Sequence, residues 1–212
     1  HGGLMALLFD IHLHTRRHSG CSVLDELQLV RAAVRRGLDG LVITDHHYQW
    51  PQEELDDLAR RAGEPGFALL SAFEYTSCAG DVLIYGLSAE QAAQFVPRRR
   101  PEKVVQEAHA LGAACVAAHP TRAGLAFEAN FDGLPLAGME VASVNLKPHE
   151  QRLAAHLAQS LGLRSTCASD AHRLEDVARY ATAFDAPIRT VADLRDALRA
   201  GLFAPAAAGA QA

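Results

Sequence analysis

Short apolar runs alternate along this chain with longer stretches in which apolar residues recur every three or four positions. The run over residues 7–11 predicts a strand, and residues 25–36 predict a helix with Leu27, Val30, Ala33 and Val34 on one face. Gly37 stops that helix. Residues 41–44 predict the next strand, and a helix follows over 51–61, with Pro51 well placed at its start. "FALLSAFE" (67–74) and "DVLIYGL" (81–87) predict strands joined by a turn around Ala79-Gly80. A helix over 101–111 leads into "ACVAAH" (114–119), a buried strand. "GMEVAS" (138–143) predicts a brief strand before a helix over 148–161, and "LRSTCAS" (163–169) predicts another strand. A last helix spans 191–200, capped by Thr190 and stopped by Gly201.

Alternation of this kind implies an α/β fold with a largely parallel sheet, open or closed. The polar residues bear on the choice. His12 and His14 end the first strand, Asp45 and His46 the second, Glu74 the third, His119 "ACVAAH", and Asp170 and His172 "LRSTCAS". In an open sheet these carboxyl ends form a row of strand spacings of about 4.8 Å. In a barrel they ring one pocket, where such barrels keep their active sites. The expectation is therefore a TIM-like barrel of about seven strands, one short of the usual eight, in a single domain over residues 5–205. Residues 1–4 read as a scar of expression ahead of Met5, and the alanine-rich residues 206–212 as a frayed tail.

With 212 residues, about half of them apolar, the chain has material for one domain with a real core. Its net charge of −5 argues against nucleic acid as the main partner, other than a small nucleotide substrate. The one basic block, Arg98-Arg99-Arg100, lies between prolines and reads as a solvated loop. Cys21, Cys78, Cys115 and Cys167 form no C-x-x-C pair and no disulfide framework, so a reducing cytoplasm is the expected compartment. The opening residues do not read as a signal peptide, and no run approaches the roughly 20 apolar residues of a membrane span.

Two residues apart on an extended chain, His12 and His14 point to the same side, so both imidazoles can meet one cation. An H-x-H alone is a weak signal. "TDHH" at a second strand end and "SDAH", with Asp170 and His172 at the same spacing, make coincidence hard to sustain. Asp45 is placed to orient a ligating imidazole through its other nitrogen. His47 would point away from its neighbour, in a solvated or capping role, and His109 and His156 read as ordinary helix residues. Tyr48 and Trp50 fit a pocket wall or plain packing equally well. Arg122, just past His119, suits bidentate capture of a phosphate.

"DIHLHT", "GLVITDHH", "FEYT", "AAHP" and "SDAH" match in order and spacing the motifs of the PHP (polymerase and histidinol phosphatase) phosphoesterases, which this chain resembles from Phe9 to Phe203. The resemblance implies a distorted (β/α)7 barrel with two or three clustered divalent ions, usually manganese, zinc or iron. It implies that His12, His14, Glu74 and Asp170 hold one ion. Glu74 would bridge to a second held also by His119, with one more ligand from the region after "GMEV": His149 first, Glu140 second. His46 and His172 would belong to a third site. There the chain departs from the commoner spacing, and Cys21 or His18 could serve.

The expected reaction is hydrolysis of a phosphomonoester or phosphodiester of small size by a hydroxide bridging two cations. Arg122 would anchor the ester, and a third metal or a protonated group near His172 would assist the leaving group. No Gly-x-Ser-x-Gly elbow or P-loop competes with this. An amidohydrolase also opens with H-x-H and closes with an aspartate, but the short length and the Asp45-His46 pair stand against it. A regulatory PHP module that keeps its metals without catalysis is the alternative outside enzymology.

Overall fold

The computed structural model describes residues 6–206. Residues 1–4, and all but Ala206 of the tail expected over 206–212, lie outside the described residues. In chain order the elements are β1 (Leu7–Asp10), α1 (Glu26–Arg35), β2 (Gly40–Ile43), α2 (Gln52–Ala62), β3 (Ala68–Ser71), β4 (Phe73–Thr76) and β5 (Asp81–Tyr85). There follow α3 (Ala89–Ala92), α4 (Pro101–Ala110), β6 (Ala114–Ala118), β7 (Gly138–Ala142), α5 (Pro148–Ser160), β8 (Ser165–Cys167), β9 (Ala181–Phe184), α6 (Val191–Ala200) and β10 (Phe203–Ala206). Helix starts follow local chemistry. Asp25 accepts from the amides of Leu27 and Gln28 at 3.1 Å, and Thr190 caps α6 through the amide of Asp193.

The barrel expected from the alternation is not what forms. The strands make two mixed five-stranded sheets, ordered β10-β9-β1-β2-β3 and β4-β5-β6-β7-β8, with no closed barrel among the described residues. Two features of the chain account for this. Between β4 and β5 stand only residues 77–80, too few for the dozen or more of a parallel crossover, so the pair is an antiparallel hairpin. "FALLSAFE" is not one strand: it breaks at Ala72, its first half pairing with β2 and its second with β5. The chain thereby passes from one sheet to the other. Glu74 consequently sits inside β4 rather than at a strand's end. Ala206, read as the start of a frayed tail, pairs with Ala181 as the last residue of β10, antiparallel to β9.

Period-2 alternation sorts the side chains. Phe9, Val42, Leu70, Leu83, Tyr85 and Val116 join one buried cluster drawn from both sheets. Leu41, Ile43 and Leu69 point the other way, against the apolar faces of α1 and α2. Phe73, Tyr75, Val82 and Ile84 likewise meet Val104, Val105 and Ala108 of α4. The segments that leave the strands at one end of this packing carry the candidate chemistry.

Candidate metal centre

Past β1 the chain stays extended. Asp170 donates its amide to the carbonyl of His12 at 2.8 Å, and His14 donates to that of Ala171 at 3.0 Å. Ile11 and Leu13 enter the core, and by the same alternation His12 and His14 face the opposite side. Asp10 clamps this junction by accepting from the amides of Ser169 at 2.9 Å and Ala178 at 3.0 Å. His46 bridges to Glu74, and the amide of His47 donates to the carbonyl of Glu74 at 3.0 Å. Three residues here take left-handed backbone that β-carbons disfavour: His47 (φ 55°), His119 (27°) and Asp170 (51°).

The donor atoms converge tightly. His12 Nε2 and His14 Nε2 are 3.2 Å apart. His12 Nε2 is 3.4 Å from Glu74 Oε2 and 3.3 Å from Asp170 Oδ1; for His14 Nε2 the distances are 3.1 and 3.4 Å. Four ligands on a tetrahedral cation with bonds near 2.0–2.1 Å stand about 3.3 Å from each other, so this donor set fits such an ion. Glu74 turns its other oxygen, Oε1, to His119 Nε2 at 3.0 Å, the arrangement of a carboxylate shared between two positions. His46 Nδ1 lies 3.3 Å from Glu74 Oε2, and the rings of His46 and His172 each lie 4.6 Å from that of His14. A cavity of about 180 Å³ opens over the cluster, lined by Cys21, His46, Glu74, Asp81, Arg122 and His172 among others.

Burial opposes charge on every one of these groups, and the neighbours decide the outcome. At His12 the carboxylates of Asp170, Glu140 and Glu74 outweigh burial and hold the pKa well above its usual value. At His14, Asp170 and Glu74 raise it to about 9, and Glu74 raises that of His119. The same contacts hold Glu74 and Asp170 well below the carboxylate range. Burial wins at His46, lowered to about 4, and at His172, which the charge of His14 lowers further. Burial and the nearby Glu74 push Asp81 up to about 6.

Residues 148–202 match the family model described as PHP-associated, over α5 to α6. The five motifs that carry the resemblance supply the clustered donors. The family-model match covers about a quarter of the chain, its C-terminal part. No curated protein sequence matches it. Among solved structures, PsfC from Pseudomonas syringae is similar at 18% identity and a TM-score of 0.73, over 96% of this chain and 92% of that one. The lesion-specific endonuclease PfuEndoQ from Pyrococcus furiosus gives 14% and 0.70, over 95% of this chain and 58% of its own. A two-domain protein from Bacteroides vulgatus, containing a predicted PHP-like metal-dependent phosphoesterase, gives 20% and 0.69, over 98% and 66%. At these identities the likeness is one of fold.

Some expected residues stand elsewhere in this chain. Asp45 faces no imidazole. Its oxygens accept from the Thr15 amide and hydroxyl at 2.7 Å, from Ser19 Oγ at 2.6 Å and from Trp50 Nε1 at 2.8 Å. It reaches His14 only through Ser19, whose Oγ lies 3.3 Å from His14 Nδ1. Trp50 is thus a core residue held by Asp45. His18 stacks on Tyr48 at 3.6 Å between ring centres and joins no donor group. His149 is exposed in the first turn of α5 and joins none either. His47 packs its ring edge-on against Tyr75 at 5.2 Å, away from the cluster.

Sequence reasoning passed over Asn145 and Asp81, and gave Glu140 only as a second candidate ligand; all three shape the site. Glu140, weighed as a ligand, accepts from the His119 amide at 2.9 Å while Oε1 lies 2.9 Å from His12 Nδ1. Asn145 Nδ2 donates to Asp170 Oδ2 at 2.7 Å and to its carbonyl at 2.8 Å, holding the left-handed turn. Asp81 Oδ2 is 3.9 Å from His119 Nε2. The only signal for Glu140 and Asn145 was their place in and after "GMEV". A larger groove of about 530 Å³, lined by Arg16, Arg17, Trp50 and Glu54 among others, contains none of these donors. Its arginines are paired with Asp25 and Glu54.

Proposed function

We propose that this chain is a metal-dependent hydrolase of phosphate esters. The observation that carries the reading is the spacing of His12, His14, Glu74 and Asp170, whose donor atoms lie 3.1–3.4 Å from one another across the histidine–histidine and histidine–carboxylate pairs. In this reading those four residues hold one divalent ion, Glu74 and His119 reach a second, and His46 and His172 flank a third position. Such ions, manganese, zinc or iron, polarise a phosphoryl oxygen and lower the pKa of bound water toward neutrality.

The chain's own residues supply the rest. Arg122, 3.8 Å from Asp170 Oδ2 at the cavity wall, has the charge and planar donors to grip a phosphoryl oxygen. Glu140 and Asn145 keep His12 and Asp170 oriented. His172, its pKa lowered, stands neutral near pH 7 and so offers a lone pair rather than a proton. A cavity of about 180 Å³ takes a phosphoryl group and leaves the organic part of the ester to the surrounding loops.

The test is turnover by metal-stripped protein reloaded with manganese, zinc or iron. Substrates are p-nitrophenyl phosphate, its bis-ester, small nucleotides, a single-stranded DNA oligonucleotide and a cyclic amide. Release from a phosphate ester, abolished by chelation, is expected. Glu74→Gln and Asp170→Asn should reduce it by more than the roughly 10–100-fold typical of outer partners of a metal site. Cleavage of the amide alone would move the chain to the amidohydrolases. Full metal loading with no turnover across the panel would make it a regulatory module.

A further inference from the structure

One of the four cysteines stands beside two imidazoles. Donor atoms of His14, Cys21 and His172 all lie within 4.8 Å of one another. The local backbone is built for this. Ser22 Oγ is 2.8 Å from the carbonyl of His14 and 3.2 Å from that of His172, and the Val23 amide donates to His172 at 3.1 Å. The turn bearing Cys21 is thus laced to both histidine segments. His172 Nδ1 lies 2.9 Å from the carbonyl of Asp170, so as a donor there it leaves the Nε2 lone pair free. Cys21 lines the metal cavity. Cys78 is exposed and joins no donor group among the described residues, while Cys115 and Cys167 are buried in β6 and β8.

We infer that Cys21 is a sulfur donor to the cation position beside His172, and that this position selects a thiophilic divalent ion, zinc ahead of manganese or magnesium. The inference rests on reading the cluster as a metal centre. An imidazole nitrogen has one lone pair, so His14 serves one position at a time. Cys21 and His172 are the donors found in this group and in no other of the described groups. Carboxylate oxygen suits manganese and magnesium, imidazole leans toward zinc, and thiolate discriminates strongly for zinc. The centre is therefore chemically unequal, with imidazole-and-carboxylate positions around Glu74 and a sulfur-bearing one at the cavity wall.

The experiment uses the full chain, stripped and then given zinc, manganese or magnesium alone. Elemental analysis reads bound metal, and mass spectrometry reads the iodoacetamide alkylation rate at each cysteine. Zinc should slow alkylation of Cys21 by about tenfold or more, since the alkylating species is the free thiolate, and leave Cys78 unchanged. Manganese and magnesium should protect neither. Cobalt should give a sulfur-to-metal charge-transfer band that Cys21→Ser removes and Cys78→Ser keeps. Stoichiometric zinc with Cys21 alkylated at the stripped rate, or a band surviving in Cys21→Ser, overturns the inference and leaves the metal centre standing. Absence of any bound metal overturns both.

Discussion

Glu140 shows how much one buried carboxylate controls. One oxygen fixes the ring of His12, and the other accepts the amide of His119, a residue held at φ 27°. Glu140→Gln keeps the shape but carries one acceptor and one donor where two acceptors are needed. One of the two contacts must then set donor against donor. Metal affinity should fall roughly 10–100-fold with the circular dichroism unchanged, as measured by competition with a chromogenic chelator; equal affinity would refute the role. Protons compete for the same nitrogens. With its pKa raised to about 9, His14 carries a proton below that pH and must lose it to bind a cation. Apparent affinity should therefore rise with pH up to about 9 at the least, since His12, also raised, must lose its proton too. Calorimetry in buffers of different ionisation enthalpy would show proton release, and pH-independent binding would count against it. At this scale the H-x-H pair was legible because i, i+2 geometry on an extended chain is local; at Asp170 the left-handed backbone breaks that geometry, and Asp170 and His172 fall in different donor groups. Glu140 was legible only as a second candidate ligand, because its contacts with His12 Nδ1 and the His119 amide are made across the fold and not within its own run.

The elements place these residues, and at Gly40 in β2 they leave no room for a β-carbon. A β-carbon there would stand 2.2 Å from Phe9 Cε1 and 2.6 Å from the carbonyl of Ala68. The aromatic ring could shift, but the carbonyl belongs to the β2–β3 ladder and cannot do so cheaply. Gly40→Ala should cost about 1–3 kcal/mol in urea denaturation, as overpacking does. It should also weaken metal binding, because β1 and β2 lead into His12, His14 and His46. A change under about 0.5 kcal/mol, the range of an ordinary surface substitution, would mean the strands yield freely. Helices were readable from caps and stops: Thr190 and Gly201 act as their positions suggest, while Asp25, read as the first residue of its helix, is its cap. Strand direction was not. "FALLSAFE" is apolar to Phe73 but for Ser71, and its break at Ala72 follows from pairing with β2 on one side and β5 on the other. No residue within the run records that choice.

Across the whole molecule, the cluster stands where the two sheets meet. His12, His14 and His46 follow β1 and β2 of one sheet; Glu74, His119, Asp170 and His172 belong to β4 or follow β6 and β8 of the other. A cation held by both sets joins the sheets directly, in place of the protons that hold imidazoles against carboxylates without it. At a hundredfold excess over Kd, binding to the folded state alone adds about 2.7 kcal/mol. For a chain of this size that is roughly 5–10 °C in Tm. The rise should grow with zinc concentration, reverse on chelation and shrink in Asp170→Asn. A Tm indifferent to metal would deny the linkage. Hydrogen exchange separates a cation bridging the sheets from one held on a single side. The amides of His14 and Asp170 donate across the junction, to Ala171 and His12. A bridging cation slows exchange at both amides together, whereas an ion bound to one sheet protects that sheet's strands and leaves this crossing pair as it was.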